Sequence, residues 1–266
     1  VTISACPQPK KWPEPIRALA HKNFQIYFLG QGVSTLGKWM QQVALAWLAY
    51  HLSGSAVLLG TITFLALLPQ LILGPVAGAW MDRHDKRKLL MLVQILLSVQ
   101  SASMAALTWL HWMSSEIIVL MALLLGLLNA VETPLRQALI GNFVDDRSDL
   151  PNALVLNSTL INASRFVGPP LAGWLIHWSG EFSCFLLNSL AFAALLLGLL
   201  RVKSPSSRRA LGSTQEIFRE GLGYLWNTHS VRQVLLSVVT VNLLASCYSV
   251  LLPILAKLGF PAPRGN

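Results

Sequence analysis

Charge is scarce in this chain. Of 266 residues, only 12% are Asp, Glu, Lys or Arg, while 54% are hydrophobic. Soluble domains carry about twice that charged share, so a soluble globular protein is excluded. Acids are the scarcer sign, 11 against 20 bases. Cysteine is nearly absent: Cys6 falls in a polar tail, and Cys184 and Cys247 fall in apolar runs. That placement excludes a disulfide framework and leaves buried structural thiols. There is no G-x-S-x-G elbow and no phosphate-cradling glycine loop. No span carries a His/Asp/Glu cluster, so an enzyme is not expected, nor is a cofactor or a bound metal. His51, His111 and His177 lack a second ligand at helical spacing and read as interfacial polar residues. Nothing reads as a cleavable leader, because the first 23 residues are polar and Pro-rich and the first apolar stretch is far too long.

What the chain does have is long oily runs, with a mean hydropathy of +0.56. A span needs about 20 apolar residues, and seven segments qualify: 24–50, 57–80, 89–110, 116–140, 151–177, 182–201 and 233–256. The fold class is therefore all-α, a polytopic transmembrane helix bundle. The bases cluster before residue 24, at 83–88, at Arg136 and Arg147, and from Arg201 to Arg232. Arg136 lies in the inner part of span 116–140, and the others fall on one side of the spans, the positive-inside pattern. The sequence pI of 9.9 thus reports topology rather than nucleic-acid binding. The N-terminus is expected in the cytoplasm, and the lipid bilayer is the first partner. Trp47, Trp109, Trp112, Trp174 and Trp178 collect near the outer ends, as an interfacial belt requires.

The turn between the second and third spans is the densest signal. Gly74-Pro75-Val76-Ala77-Gly78-Ala79 leads into Asp82-Arg83-His84-Asp85-Lys86-Arg87-Lys88, in which every side chain is ionisable. Small residues before the turn let a neighbouring helix come close. The acid followed by bases reads as a gating latch. This pattern resembles the loop signature of the major facilitator superfamily, with Gly78, Asp82, Arg83, Arg87 and Lys88 on the matching positions. The departure is Asp85, where the family usually has Gly, which makes the turn less permissive.

The longest connection, 202–232, begins with bases and serines. It continues through the capping box Ser213-Thr214-Gln215-Glu216 into Ile217, Phe218, Leu222, Leu225 and Trp226 on one helical face. It reads as an amphipathic linker on the inner surface. Gly74-Pro75 with Trp80 recurs 94 residues later as Gly168-Pro169 with Trp174, on a span running the other way. The resemblance to the superfamily implies a 3+3 inverted repeat, which this recurrence supports. The organisation expected is a tail (1–23), a six-helix bundle (24–201), the linker (202–232), one span of a second bundle (233–256) and a tail unlike the family (257–266). A family member would run through five more spans, so a truncated or frame-shifted copy is expected, seven of twelve spans.

Ionisable groups inside a bilayer cost about 2.5–3.5 kcal/mol each on insertion scales. Four fall within spans: Lys38, Glu132, Arg136 and Arg165. Glu132 and Arg136 stand i,i+4 and can pair, with Pro134 between them free to kink the helix. By helical rise, Lys38 and Arg165 lie near mid-depth and Glu132 roughly 6–9 Å nearer the cytoplasm. Glu132 is the only carboxylate in any span. It is the candidate proton carrier, and the alternative is a static brace with Arg136. Lys38 and Arg165 against one acid make the site lean positive and favour anionic or acidic ligands.

Longer stretches resemble one branch of the superfamily, the enterobactin-exporter-like drug and siderophore efflux proteins. These are Phe24 to Gln31, Gly37 to Ala44, Glu132 to Ala138, Ala163 to Gly173, and Glu220-Gly221-Leu222 with Tyr224. Two departures stand out: Lys38 replaces a small polar residue, and span four lacks the mid-membrane arginine of many drug–proton antiporters. The resemblance implies alternating access with protons as coupling ion, siderophores or amphipathic drugs as substrates, and spans one and four lining the cavity. Candidate substrate and proton residues are Glu132, Arg136, Arg165, Lys38 and Gln31. Helix-packing candidates are Gly74, Pro75, Gly168, Pro169 and Gly173. The alternative from another class is a folded bundle that does not transport.

Overall fold

The computed structural model describes residues 14–81, 83–144, 146–201, 223, 227–234, 236–237 and 240–241. Six long helices follow one another: α1 (Lys22–Ser53), α2 (Ala56–Met81), α3 (Lys86–Trp109), α4 (Ser115–Ile140), α5 (Leu150–Ser179) and α6 (Glu181–Arg201). No strand occurs among the described residues. The first six predicted spans thus exist as helices, and the all-α expectation holds. Most of the predicted linker and seventh span, with residues 1–13 and the tail from 257, lies outside the described residues. What is described there, as a separate unit, is helical around Arg232, whose N–H donates to Thr228 at 3.1 Å.

The helix ends obey local chemistry. α1 stops at Gly54, which takes φ +61° and returns its N–H to Tyr50 at 2.8 Å, a left-handed cap that suits glycine. The Ser114 hydroxyl accepts from Ile117 N–H at the start of α4. Asp85 caps α3, accepting from the N–H groups of Arg87 and Lys88 at 3.1 and 3.2 Å. Its backbone is extended at φ −68°, so this position asks for no left-handed residue. The turn is expected to be less permissive with Asp85 in place of Gly; at this position the acid stabilises the helix it precedes.

Alternation of direction places the starts of α1, α3 and α5 with the ends of α2, α4 and α6. Contacts confirm the grouping. Arg87 donates to Leu199 and Leu200 carbonyls at 2.6–3.3 Å. A short 3₁₀ turn, Glu14–Ala20, is strapped to the start of α5 through Arg17–Asp149 and His21–Asp149 at 3.0 Å each, and through Ala18 N–H to Asn152 at 2.9 Å. This end carries Lys22, Arg83, Lys86, Arg87, Lys88 and Arg201. The other end carries Glu116, Glu181 and the exposed Trp109, Trp112, Trp174 and Trp178.

Two apolar clusters fill the bundle. One, at the basic end, holds Phe24, Tyr27, Leu97, Leu135, Phe143 and Phe192, with Tyr27 and Phe143 stacked at 4.5 Å. The other holds Ala44, Leu48, Met104, Ile118, Ala122 and Phe185. Between them lies a buried polar layer that includes Gln31, Ser34, Gln41, Gln94, Ser101, Glu132, Arg136 and Asn188. The perimeter is oily, with Phe166 83% and Leu71 78% exposed, as a lipid-facing surface requires. On length and composition, α2, α3, α4 and α6 are apolar enough to cross a membrane. α1 and α5 are longer but more polar: α1 buries Gln31, Ser34, Thr35 and Gln41, while α5 buries Asn157 and Ser164 and exposes Ser158, Thr159 and Asn162.

Close helix contact depends on particular small residues. A Cβ on Gly126 of α4 would meet the Leu65 and Ala66 carbonyls of α2 at 2.7 and 2.8 Å. A Cβ on Gly168 of α5 would meet Trp39 Cβ at 2.5 Å. Gly74, Gly78 and Gly173 have nothing within 4 Å. The expectation of close packing at Gly74 and Gly173 is therefore corrected for the described residues: α2 makes its close approach at mid-helix, against Gly126. Pro75 and Pro169 lie inside continuous helices. Between α3 and α6, Ser98 and Ser189 each donate to the other's carbonyl, at 3.0 and 2.9 Å. Gly126→Ala is expected to lower stability by about 1–3 kcal/mol, since rigid backbone must move. Gly74→Ala is expected to be neutral. Thermal midpoints of the purified variants in detergent check this; equal midpoints would refute the α2–α4 contact.

Candidate functional site

A cleft of about 500 Å³ opens between α1, α2, α4 and α5. Its walls bring together Gln31, Lys38, Glu132, Arg136 and Arg165, all five candidates read from sequence, with Thr35, Trp39, Asn129 and Asn157. Leu59, Ile62 and Leu67 from α2 and Leu125 from α4 supply apolar wall. A concave, largely oily space with few polar groups is the usual form of a small-molecule site.

Glu132 is the centre of its polar side. It is 1% exposed, and its oxygens are fully engaged. Arg136, one turn on, pairs with Oε1, and Gln94 Nε2 donates to the same oxygen at 3.1 Å. Lys38 Nζ, from α1, donates to Oε2 at 2.5 Å and to Asn129 Oδ1 at 2.8 Å. Arg136 also donates to Gln31 Oε1 at 2.6 Å and Ser34 Oγ at 2.8 Å. One carboxylate therefore ties α1, α3 and α4 together. A buried ion is tolerated only where partners replace its water, and here each charge has at least two. Pro134 lies between the paired residues inside an unbroken α4.

The Lys38 contact was not read from sequence. Rise-counting separates Lys38 from Glu132 in depth, and the four-carbon lysine stem closes that gap. Gln94, Asn129 and Ser34 were also missed. The signal available was an amide or hydroxyl inside an apolar run, weaker than a charge but of the same kind. The same signal marks a second network, where Gln41 accepts from Ser101 at 3.0 Å and from Asn188, and donates to Gln100 at 3.1 Å.

Arg165 stands apart. Its guanidinium lies 5.0 Å from the centre of the Trp39 ring, a cation–π distance. No ion pair to it occurs among the described residues. The basic turn forms a separate site at the bundle end. Arg87 covers the last carbonyls of α6, where a cation opposes the helix dipole. Arg83 and Lys88 are exposed, and Gly78 is partly buried. Asp82 lies outside the described residues.

Long apolar helices enclosing a polar cleft have the form of a membrane-spanning helix bundle. Residues 14–261 match the transmembrane secretion effector family, and the chain belongs to this family of major facilitator transporters. It is 29% identical to the staphyloferrin A transporter of Staphylococcus aureus, over 88% of this chain and 59% of that protein. It is 25% identical to the multidrug efflux pump Tap of Mycolicibacterium fortuitum, over 79% of this chain and 54% of that protein. It is 22% identical to macrolide efflux protein A of Streptococcus pyogenes, over 57% of this chain and 37% of that protein. The chain thus spans about half the length of the curated relatives it matches.

Glu132→Gln keeps the shape but leaves Lys38 and Arg136 without their acid. The expected loss is about 3–5 kcal/mol, the cost of stranding buried charge. Lys38→Met should cost less, since Glu132 keeps Arg136 and Gln94. Thermal midpoints in detergent should fall in the order wild type, Lys38→Met, Glu132→Gln; the reverse order would refute the clamp.

Proposed function

We propose that this bundle works in the proton-coupled export of siderophores or amphipathic drug-like molecules by alternating access. The observation that carries this reading is the cleft: apolar wall for an amphipathic body faces a buried acid held by two bases. The relatives named for siderophore and drug efflux support the substrate range. In this mechanism the substrate enters between α1, α2, α4 and α5, and the six helices rock against a second bundle. A proton reaching Glu132 removes the charge that Lys38 and Arg136 share. Both bases then turn to the cleft, and the state of the acid is coupled to what the cleft holds. Arg83, Arg87 and Lys88, with Asp82, latch the basic end, which we assign with the N-terminus to the cytoplasm.

Reconstitution tests this. Vesicles carrying the 266-residue chain and loaded with a fluorescent amphiphile should release it faster under an imposed pH gradient, and a protonophore should abolish the difference. Absence of gradient-driven flux, with helices intact by circular dichroism, overturns the proposal in favour of a folded bundle that does not transport. Glu132→Gln should flatten the pH dependence of flux; an unchanged pH profile removes Glu132 from the coupling step.

A further inference from the structure

Three bases and one acid line the cleft, and the structure divides the bases unequally. Lys38 and Arg136 are both committed to Glu132. Arg165 faces the same space and, among the described residues, pairs with no carboxylate. It is exposed rather than buried, so it meets whatever enters.

Its one defined contact leaves its strongest recognition surface open. The guanidinium carbon lies 5.0 Å from the centre of the Trp39 ring. The five N–H groups lie in the plane of that guanidinium, not on its face. None of these N–H groups donates to another described residue, so the fork is left for a planar oxyanion. A lysine at this position would present a point charge without a fork.

Trp39 is in place because of Gly168. A Cβ at Gly168 would come within 2.5 Å of Trp39 Cβ, so only the bare backbone lets the indole lie against α5. Arg165 stands three residues earlier on α5, on the same face, and extends over that ring. The Gly168-Pro169 pair, read from sequence as a packing element, thus positions an aromatic platform under the free cation.

Two further groups point to an occupant. Thr35, one turn before Trp39 on α1, has a buried hydroxyl without a hydrogen-bond partner. Asn157, two turns before Arg165 on α5, has a buried Oδ1 in the same condition. Unpaired buried polar atoms are rare and costly, and both of these line the cleft.

We propose that Arg165, set against Trp39, is the anion-reading subsite of the cleft. It selects substrates that carry a carboxylate or similar planar oxyanion on an amphipathic, ring-bearing body. The proposal rests on the cleft being the transport site and adds the charge class that it selects. Gly168 is a positioning residue, acting through Trp39.

Two xanthene dyes of opposite charge provide the test. The purified 266-residue chain in nanodiscs is titrated with carboxyfluorescein and with rhodamine 6G, read by fluorescence anisotropy against empty nanodiscs. Carboxyfluorescein should bind at least about tenfold more tightly, and added salt should weaken it. Arg165→Gln should weaken carboxyfluorescein by about 10- to 100-fold, the worth of charge-assisted hydrogen bonds, and spare rhodamine 6G. Arg165→Lys should fall between. Gly168→Ala should act like a mild Arg165→Gln, with circular dichroism confirming the helices. Arg201→Gln, at the far end of α6, should change nothing and controls for net charge. Equal binding of both dyes, binding of neither, or an Arg165→Gln variant like wild type overturns the subsite. Charge-selective binding without gradient-driven flux keeps the subsite and removes the transport reading; flux without charge selectivity does the reverse.

Discussion

A single carboxylate holds the middle of this bundle. Glu132 brings a lysine from α1, an arginine from its own helix and an amide from α3 to one point. Each of these groups would resist leaving water alone. Together they satisfy one another, and they do so only if three helices keep one relative depth. Apolar packing between oily helices has little power to fix depth, because lipid tails are as apolar as leucine. The charged knot supplies that register.

The rest of the architecture follows from this layer. Apolar clusters close both ends, and hydroxyls and amides stitch α1, α3 and α6 near its level. α1 buries Gln31, Ser34, Thr35 and Gln41, and α5 buries Asn157 and Ser164 but leaves Ser158, Thr159 and Asn162 exposed; these polar residues lower the hydropathy of both helices. The cleft opens where the polar layer meets α2, whose Leu59, Ile62 and Leu67 add wall but no charge. Oily wall opposite fixed charge gives the space its amphipathic character.

Sequence reading reached the helices because continuous apolar runs are a strong local signal, and the ends at Gly54 and Asp85 were within a few residues of expectation. It also gathered the right residues for the cleft, since an ionisable group in an oily run has few places to go. It did not reach the partnership of Lys38 with Glu132, which depends on how two helices are set against each other and on the reach of a long side chain. It spread helix packing over every glycine in the paired motifs. Of the glycines in those motifs the structure puts close contact at Gly168, and it adds Gly126 and Gly37, where another helix arrives. Asp85 was weighed as a poor glycine and is instead a good cap, a distinction that turns on its backbone angle.

That cap has a mechanical consequence. Where a glycine would leave a swivel between α2 and α3, Asp85 locks the first turn of α3 through two amide hydrogen bonds. Arg87, two residues on, is bolted to the last turn of α6, and paired serines fasten the same two helices further along. α3 and α6 are therefore fastened to each other at the ionic end and again further along, so a tilt of one would have to carry the other with it.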